Sequence, residues 1–320
     1  MLPHRPTRPR PLKHGKDRAP PSRQAGRADP VTVCIATMCN WTYAPGDVGK
    51  AIITASDRQI TSGSVEYDPL QIKVCFLNQH LLVLVSGDIA VHSEALTNLQ
   101  SKLKTSPTSD VFDVAEMYSK ELRRIYFRYA VNKYLSPLGM DDATFFGNQS
   151  TFSPEFINKI TDQLQSYQGP EIEAIVTGID DKGAHIYHID EFMNISCNDD
   201  LGFAAIGLGA WHAKSQIMQF RYVTRIPYSP ALSVTFLSKK RAEAAPGVGK
   251  DTDMFCITKN GWSPVLPELM EKLNELYTKY EDSVRGVAVN IMKELDDHLE
   301  ELRKKFQDAE KKTIPDSSLS

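Results

Sequence analysis

The chain has 320 residues, 41% of them hydrophobic and 24% charged, which is enough apolar material for one large domain or two small ones with a real core. The net charge of −3 is unevenly placed: residues 1–31 carry eight Lys or Arg against Asp17 and Asp29, so the main body is acidic and gives no electrostatic reason to expect nucleic acid there. No apolar run of about eighteen residues and no apolar leader is present, so neither a membrane span nor secretion is supported and a cytoplasmic protein is expected.

Residues 1–30 hold seven prolines and almost no large apolar side chains, a composition that buries too little surface to offset its ordering entropy. Residues 1–31 are therefore read as a disordered basic, proline-rich extension or a propeptide. The character changes at Val31. VTVCIATM (31–38) and AIITAS (51–56) are nearly continuous apolar runs of strand length, as expected of strands covered on both faces. Between them, NWTYAPGDVGK (40–50) has the Pro, Gly and Asp of an extended hairpin loop. KVCFL (73–77) and LLVLVS (81–86) predict two more strands across a short polar turn.

Helical spacing follows over 90–103 and again over 110–134, where Val111, Val114, Ala115, Tyr118, Leu122 and Ile125 repeat at three and four behind a candidate N-cap, Asp110. Ser153-Pro154 and Ser229-Pro230 are cap-plus-proline signals for further helix starts. Strands return at 172–179, 184–189, 203–208 and 253–258, so the order fits two central sheets with helices outside. After Pro267 a charged segment carries an apolar stripe from Leu269 to Phe306, predicting one long helix, or two broken near Gly286, that packs on the domain or on a neighbouring subunit.

Several features look like sites in isolation. Cys34, Cys39, Cys75, Cys197 and Cys256 are odd in number and scattered, which fits reduced core residues better than zinc or redox motifs. GVGKDT (247–252) imitates a phosphate loop but has Ala244 in place of the first glycine and Asp251 in place of Ser or Thr, so a loop before a strand is expected. His185, His188 and Asp190 suggest metal ligands, yet residues three apart on a strand face opposite ways. Taken alone, Thr32 is an ordinary strand threonine, Asp57 and Lys73 a surface pair, and Gly87 a turn glycine.

Together they read differently. The second apolar strand ends in Asp57, Lys73 follows sixteen positions later and Gly87 fourteen after that, while Thr32 opens the first strand. In this pattern the stretch from Thr32 to Ala95 resembles proteasome β subunits and the related bacterial peptidase ring of ATP-dependent proteases. AAIGLGAWHA (204–213) is similar to the family's strand-to-helix segment, so the resemblance covers roughly residues 32–261. It departs where Leu208 replaces a family serine, where 41–49 is inserted, where no later aspartate-serine pair is recognisable in 242–253, and where Val31 precedes Thr32 instead of glycine.

The resemblance implies an α+β fold, a four-layer αββα sandwich of the N-terminal-nucleophile hydrolase type over 32–266, with 267–320 as a helical extension and disordered tail. It implies a threonine-type peptidase in which Thr32 is the nucleophile and its own α-amine, with an ordinary pKa near 8, the base. Lys73 is then the electrostatic activator, Asp57 orients the lysine, the Gly87 N–H serves the oxyanion, and Thr61 faces substrate. On that reading Asp57→Asn loses less activity than Lys73→Ala. Thr32 becomes terminal either by cleavage after Val31 or by a chain start at position 31, the second being favoured because Val31 is a poor match to the family's cleavage site. The resemblance further implies peptide or protein substrates, a homo-oligomeric ring, an ATPase partner, and no cofactor or metal. A catalytically inactive scaffold of the same fold and a small-molecule amidase stand as alternatives.

Overall fold

The computed structural model describes the backbone of residues 32–58, 60–62, 65–67 and 73–313, with side chains for 32–58 and 73–307. The expected extension over 1–31 and the tail after 313 lie outside the described residues. In chain order come β1 (Cys34–Ala44), β2 (Asp47–Asp57), the short β3 (Ile60–Ser62) and β4 (Val65–Tyr67), β5 (Val74–Phe76) and β6 (Leu81–Gly87). Helices α1 (Ile89–Thr105), α2 (Val111–Tyr134), α3 (Asp142–Gly147) and α4 (Pro154–Gln165) follow, then β7 (Ile172–Asp180), β8 (Gly183–Ile189), β9 (Ile195–Cys197) and β10 (Phe203–Ile206). The chain ends with α5 (Ala210–Gln219), α6 (Tyr228–Ala242), β11 (Thr252–Thr258), β12 (Gly261–Pro264) and α7 (Pro267–Thr313).

This is a mixed α/β protein with two antiparallel five-stranded sheets, ordered β10-β1-β2-β11-β12 and β5-β6-β7-β8-β9, while β3 and β4 pair as a separate ribbon. The continuous apolar strands are covered on both sides, as their composition predicts. From β1, Val33 and Ile35 pack against Ala213, Ile217, Leu232 and Phe236 of α5 and α6, whereas Cys34, Ala36 and Met38 meet Leu82, Leu84, Ile175 and Ile186 of the other sheet. On the far side of that second sheet, Leu81, Val83, Ala174 and Val176 lie under Val91, Leu99, Val114, Tyr118 and Leu122 of α1 and α2. Full burial of each Leu or Ile contributes about 1.5–3 kcal/mol, so the three apolar clusters dominate the stability.

Helix starts follow the capping chemistry in most places. Asp88 accepts from the N–H groups of Ala90 and Val91, Asp110 from Asp113, and Ser153 from Phe156. The Ser229-Pro230 signal is displaced: α6 begins at Tyr228 behind Pro227, with no side-chain cap, and Ser229 instead sits inside the first turn. The segment 40–50, expected as a loop, is mostly strand. β1 and β2 stay paired up to Ala44↔Asp47 across a tight turn in which Gly46 has φ +86°. Trp41 extends the pairing because its ring finds an edge-on partner in Tyr228 at 4.6 Å, a tertiary contact that composition does not reveal.

The last helix is continuous through Gly286. Among the described residues, only its first turns touch the rest of the fold: Leu273 is buried, and Met270 and Tyr277 pack on the α5/α6 cluster. From Leu276 onward the apolar stripe faces outward, with Val284, Val287, Ile291, Leu295 and Phe306 all at least half exposed. Among the described residues no helix is long and apolar enough to cross a membrane.

Candidate active site

The start of β1, the end of β2 and the residue before β5 converge. Thr32, Asp57 and Lys73 are all buried where they meet. The Thr32 hydroxyl donates to Asp57 Oδ1 at 2.8 Å and accepts from Lys73 Nζ. Lys73 Nζ also donates to both Asp57 oxygens, at 3.0 and 3.1 Å. Three residues at the ends of separate strands thus form a closed triangle of charge-assisted bonds.

Asp57 is more than a partner for the lysine. Its Oδ1 also accepts from the Val33 N–H at 2.9 Å and its Oδ2 from the Gly249 N–H at 3.0 Å. Gly249 belongs to the 247–252 segment, which forms a loop before β11 and walls the site. That loop is held by Lys239 of α6, a fully buried ammonium that donates to the carbonyls of Gly249 and Lys250 and to Glu243 at 2.7–2.9 Å. Burial pulls the Lys239 pKa below the ordinary range, and Glu243 acts against that shift. Neither Gly249 nor Lys239 was singled out from the sequence. The only available signal was the i,i+4 spacing of Lys239 and Glu243, which is common on solvated helices.

On the other side of Thr32, Gly207 makes room for the threonine. A Cβ there would stand 2.5 Å from the Thr32 carbonyl oxygen, 2.6 Å from its Cγ2 and 2.8 Å from Ser86 Oγ, and Gly207 has φ +83°. Gly207→Ala is accordingly expected to retain the two sheets but displace Thr32, lowering any Thr32-dependent activity by about 10²-fold, the scale of a 1 Å misplacement. Turnover measured on chain shown to be folded by circular dichroism tests this. A Gly207→Ala protein with unchanged turnover contradicts it.

The Gly207 N–H donates to Glu173 Oε2 at 2.9 Å, and Glu173 Oε1 meets His188 Nε2 at 3.3 Å. Burial raises the Glu173 pKa, but the bonds from His188 and Gly207 outweigh it and the net shift is downward. His185 instead bonds Asp199 at 2.7 Å, so the two histidines serve different carboxylates. Among the described residues no group of three or more His, Cys, Asp or Glu is placed to hold a metal ion.

Gly87 closes β6 with φ +107°, and a Cβ there would overlap the Glu171 carbonyl at 2.1 Å, so only glycine fits this end of the strand. Its neighbour Ser86 lines, with Glu171, Glu173, Gly207, Leu208 and Trp211, a cavity of about 360 Å³ beside Thr32. Thr61 lies in the backbone of β3, and its side chain is outside the described residues. The site thus unites Thr32, Asp57 and Lys73 directly, and reaches Gly87 through Ser86.

Behind Ser86, the buried His92 of α1 accepts at Nδ1 from the Tyr118 hydroxyl at 2.7 Å and donates from Nε2 to the Ser86 carbonyl at 2.9 Å. The Ser86 carbonyl can only accept, so Nε2 carries a proton, and burial disfavours a second one on Nδ1. Burial pushes its pKa down to about 4, against the opposing effects of the Ser86 bond and Asp88. The unfolded chain takes up this proton near pH 6.5 and the folded chain only near 4. Stability present above pH 6.5 is therefore lost as pH falls through that window, by about 3 kcal/mol at 1.36 per unit. Urea titrations at pH 7 and 4 are expected to show that much smaller an acid loss in His92→Gln than in the native chain. Equal losses would remove the assignment.

No protein-family model matches the chain, and no curated protein matches it.

Proposed function

We propose that the chain is a threonine-type peptidase subunit of the N-terminal-nucleophile class, its residues 32–266 forming a four-layer αββα sandwich like that of proteasome β subunits. The observation that carries this reading is the buried triangle of Thr32, Asp57 and Lys73 at the head of β1. Burying a carboxylate and an ammonium together is costly to desolvate even when they are paired, and such buried charge pairs cluster at functional sites. In the proposed reaction, Thr32 Oγ1 attacks the peptide carbonyl carbon and its proton passes to the Thr32 α-amine. The Lys73 cation favours the developing alkoxide, and the tetrahedral oxyanion is met by the Gly87 N–H. The amine then protonates the leaving nitrogen, giving an ester on Thr32 that water hydrolyses.

The α-amine is free only when Thr32 is the first residue, so the active form lacks residues 1–31. By the same resemblance we propose a cytoplasmic ring of identical chains acting on peptide or protein substrates, with an ATPase as partner. The experiment is N-terminal sequencing and intact mass of protein from its native source, paired with a chain begun at Met-Thr32. The expected result is a mature terminus at Thr32 and full activity of the shortened chain on casein. Turnover of small amides but not casein would favour the amidase. Residues still attached before Thr32 would remove the amine as base and favour the scaffold.

A further inference from the structure

The exposed stripe of α7 has a period of its own. Leu269, Tyr280, Ile291 and Leu302 recur every eleven residues, as do Leu273, Val284, Leu295 and Phe306, and Leu276 and Val287 complete the set with His298 in the third place. Eleven residues make three turns at 3.67 per turn, so the stripe runs nearly straight along the helix with a slight right-handed drift, the signature of a helix pair. Among the described residues nothing covers it: Tyr277 is the last residue packed on the domain, while Leu276 is 48% exposed and Ile291 60%. The uncovered stretch, 276–306, is about 45 Å long at 1.5 Å per residue.

We propose that this stripe is the seat of a second copy of the chain, whose α7 packs antiparallel against it about a two-fold axis at Ile291. Three observations favour this occupant. Ile291 is the midpoint of 276–306, so antiparallel overlap covers the whole free stripe and stops where the domain begins. Its layers would be Leu276 on Phe306, Tyr280 on Leu302, Val284 on His298, Val287 on Leu295 and Ile291 on itself. Each matches a stripe residue with a stripe residue.

The charges agree with the direction. Glu281 comes beside Arg303 of the second copy on one flank, and Lys279 beside Glu301 on the other, each pair occurring twice by symmetry. A parallel pair in register would instead lay the acidic run Glu294, Asp296, Asp297, Glu300 and Glu301 against its own copy, and Arg303, Lys304 and Lys305 against theirs.

The test is cysteine pairing in the full chain, carrying Cys197→Ser because Cys197 is the exposed native thiol. Val287→Cys and Leu295→Cys are made separately and then mixed before oxidation. The expected result is a disulfide-linked dimer in the mixture and none in either variant alone. Linkage within each variant alone would show a parallel pair and overturn the proposal, as would no linkage in the mixture. Ile291→Asp gives an independent readout: particle mass by sedimentation is expected to fall by a factor of two or more, with the domain's unfolding midpoint unchanged. An unchanged mass, or a native chain that sediments as a monomer, overturns it.

Discussion

Lys73→Ala is expected to abolish hydrolysis in a chain that still folds. The substitution removes the ammonium bonded to the Thr32 hydroxyl and leaves Asp57 accepting from Thr32, Val33 and Gly249. Loss of at least about 10³-fold in kcat/KM is expected, the range of general acid–base and preorganised electrostatic contributions. Breaking one side of a buried ion pair costs about 3–5 kcal/mol, so the melting temperature also drops. The remaining three donors keep the Asp57 carboxylate bonded, which places the stability cost at the lower end. Thermal melts and peptide turnover on the same sample separate the two effects. A folded Lys73→Ala protein with native turnover would sink the proposed mechanism.

Asp57→Ala is expected to do more damage to the fold than any other single change at the site. It strands the buried Lys73 ammonium, again about 3–5 kcal/mol, and leaves the Val33 and Gly249 N–H groups unpaired at about 1–3 kcal/mol each. That total rivals the 5–15 kcal/mol stability of a whole domain, so little cooperative folding should remain at 37 °C. Asp57→Asn preserves the shape but not the charge, and its NH2 must face one of four donors. On the sequence alone Asp57 only orients the lysine and Asp57→Asn loses less than Lys73→Ala. With Thr32 Oγ1 bonded directly to Asp57, the expectation becomes a loss of similar size. Turnover of the two folded variants side by side decides this, and near-native activity in Asp57→Asn would restore the simpler role.

How far these residues were legible depended on where their chemistry is written. The spacing of Asp57, Lys73 and Gly87 is a side-chain pattern on apolar strands, so a linear reading could carry it, and LLVLVS and IEAIVTGI announced β6 and β7 by composition. Gly249 contributes only a backbone N–H, which any residue possesses, and its role exists only because α6 and β11 bring the loop to Asp57. The same limit hid the outer half of the β1–β2 hairpin, where polar residues and Pro-Gly look like a loop until Tyr228 arrives to cover Trp41. β9 and β12, three and four residues long, are too short for any periodicity to register. The ribbon of β3 and β4 was missed likewise.

The bond from Gly249 to Asp57 joins residues 192 positions apart. At the roughly 5–20 residues per second of protein synthesis, about 10–40 seconds pass between the making of one partner and of the other. During that interval a ribosome-bound chain already contains Thr32, Asp57 and Lys73 but lacks the loop that closes over them. The Thr32, Asp57 and Lys73 cluster is thus one of the last parts of the domain to be completed, and a prematurely terminated chain ending before residue 249 would carry all three side chains without the wall that fixes them.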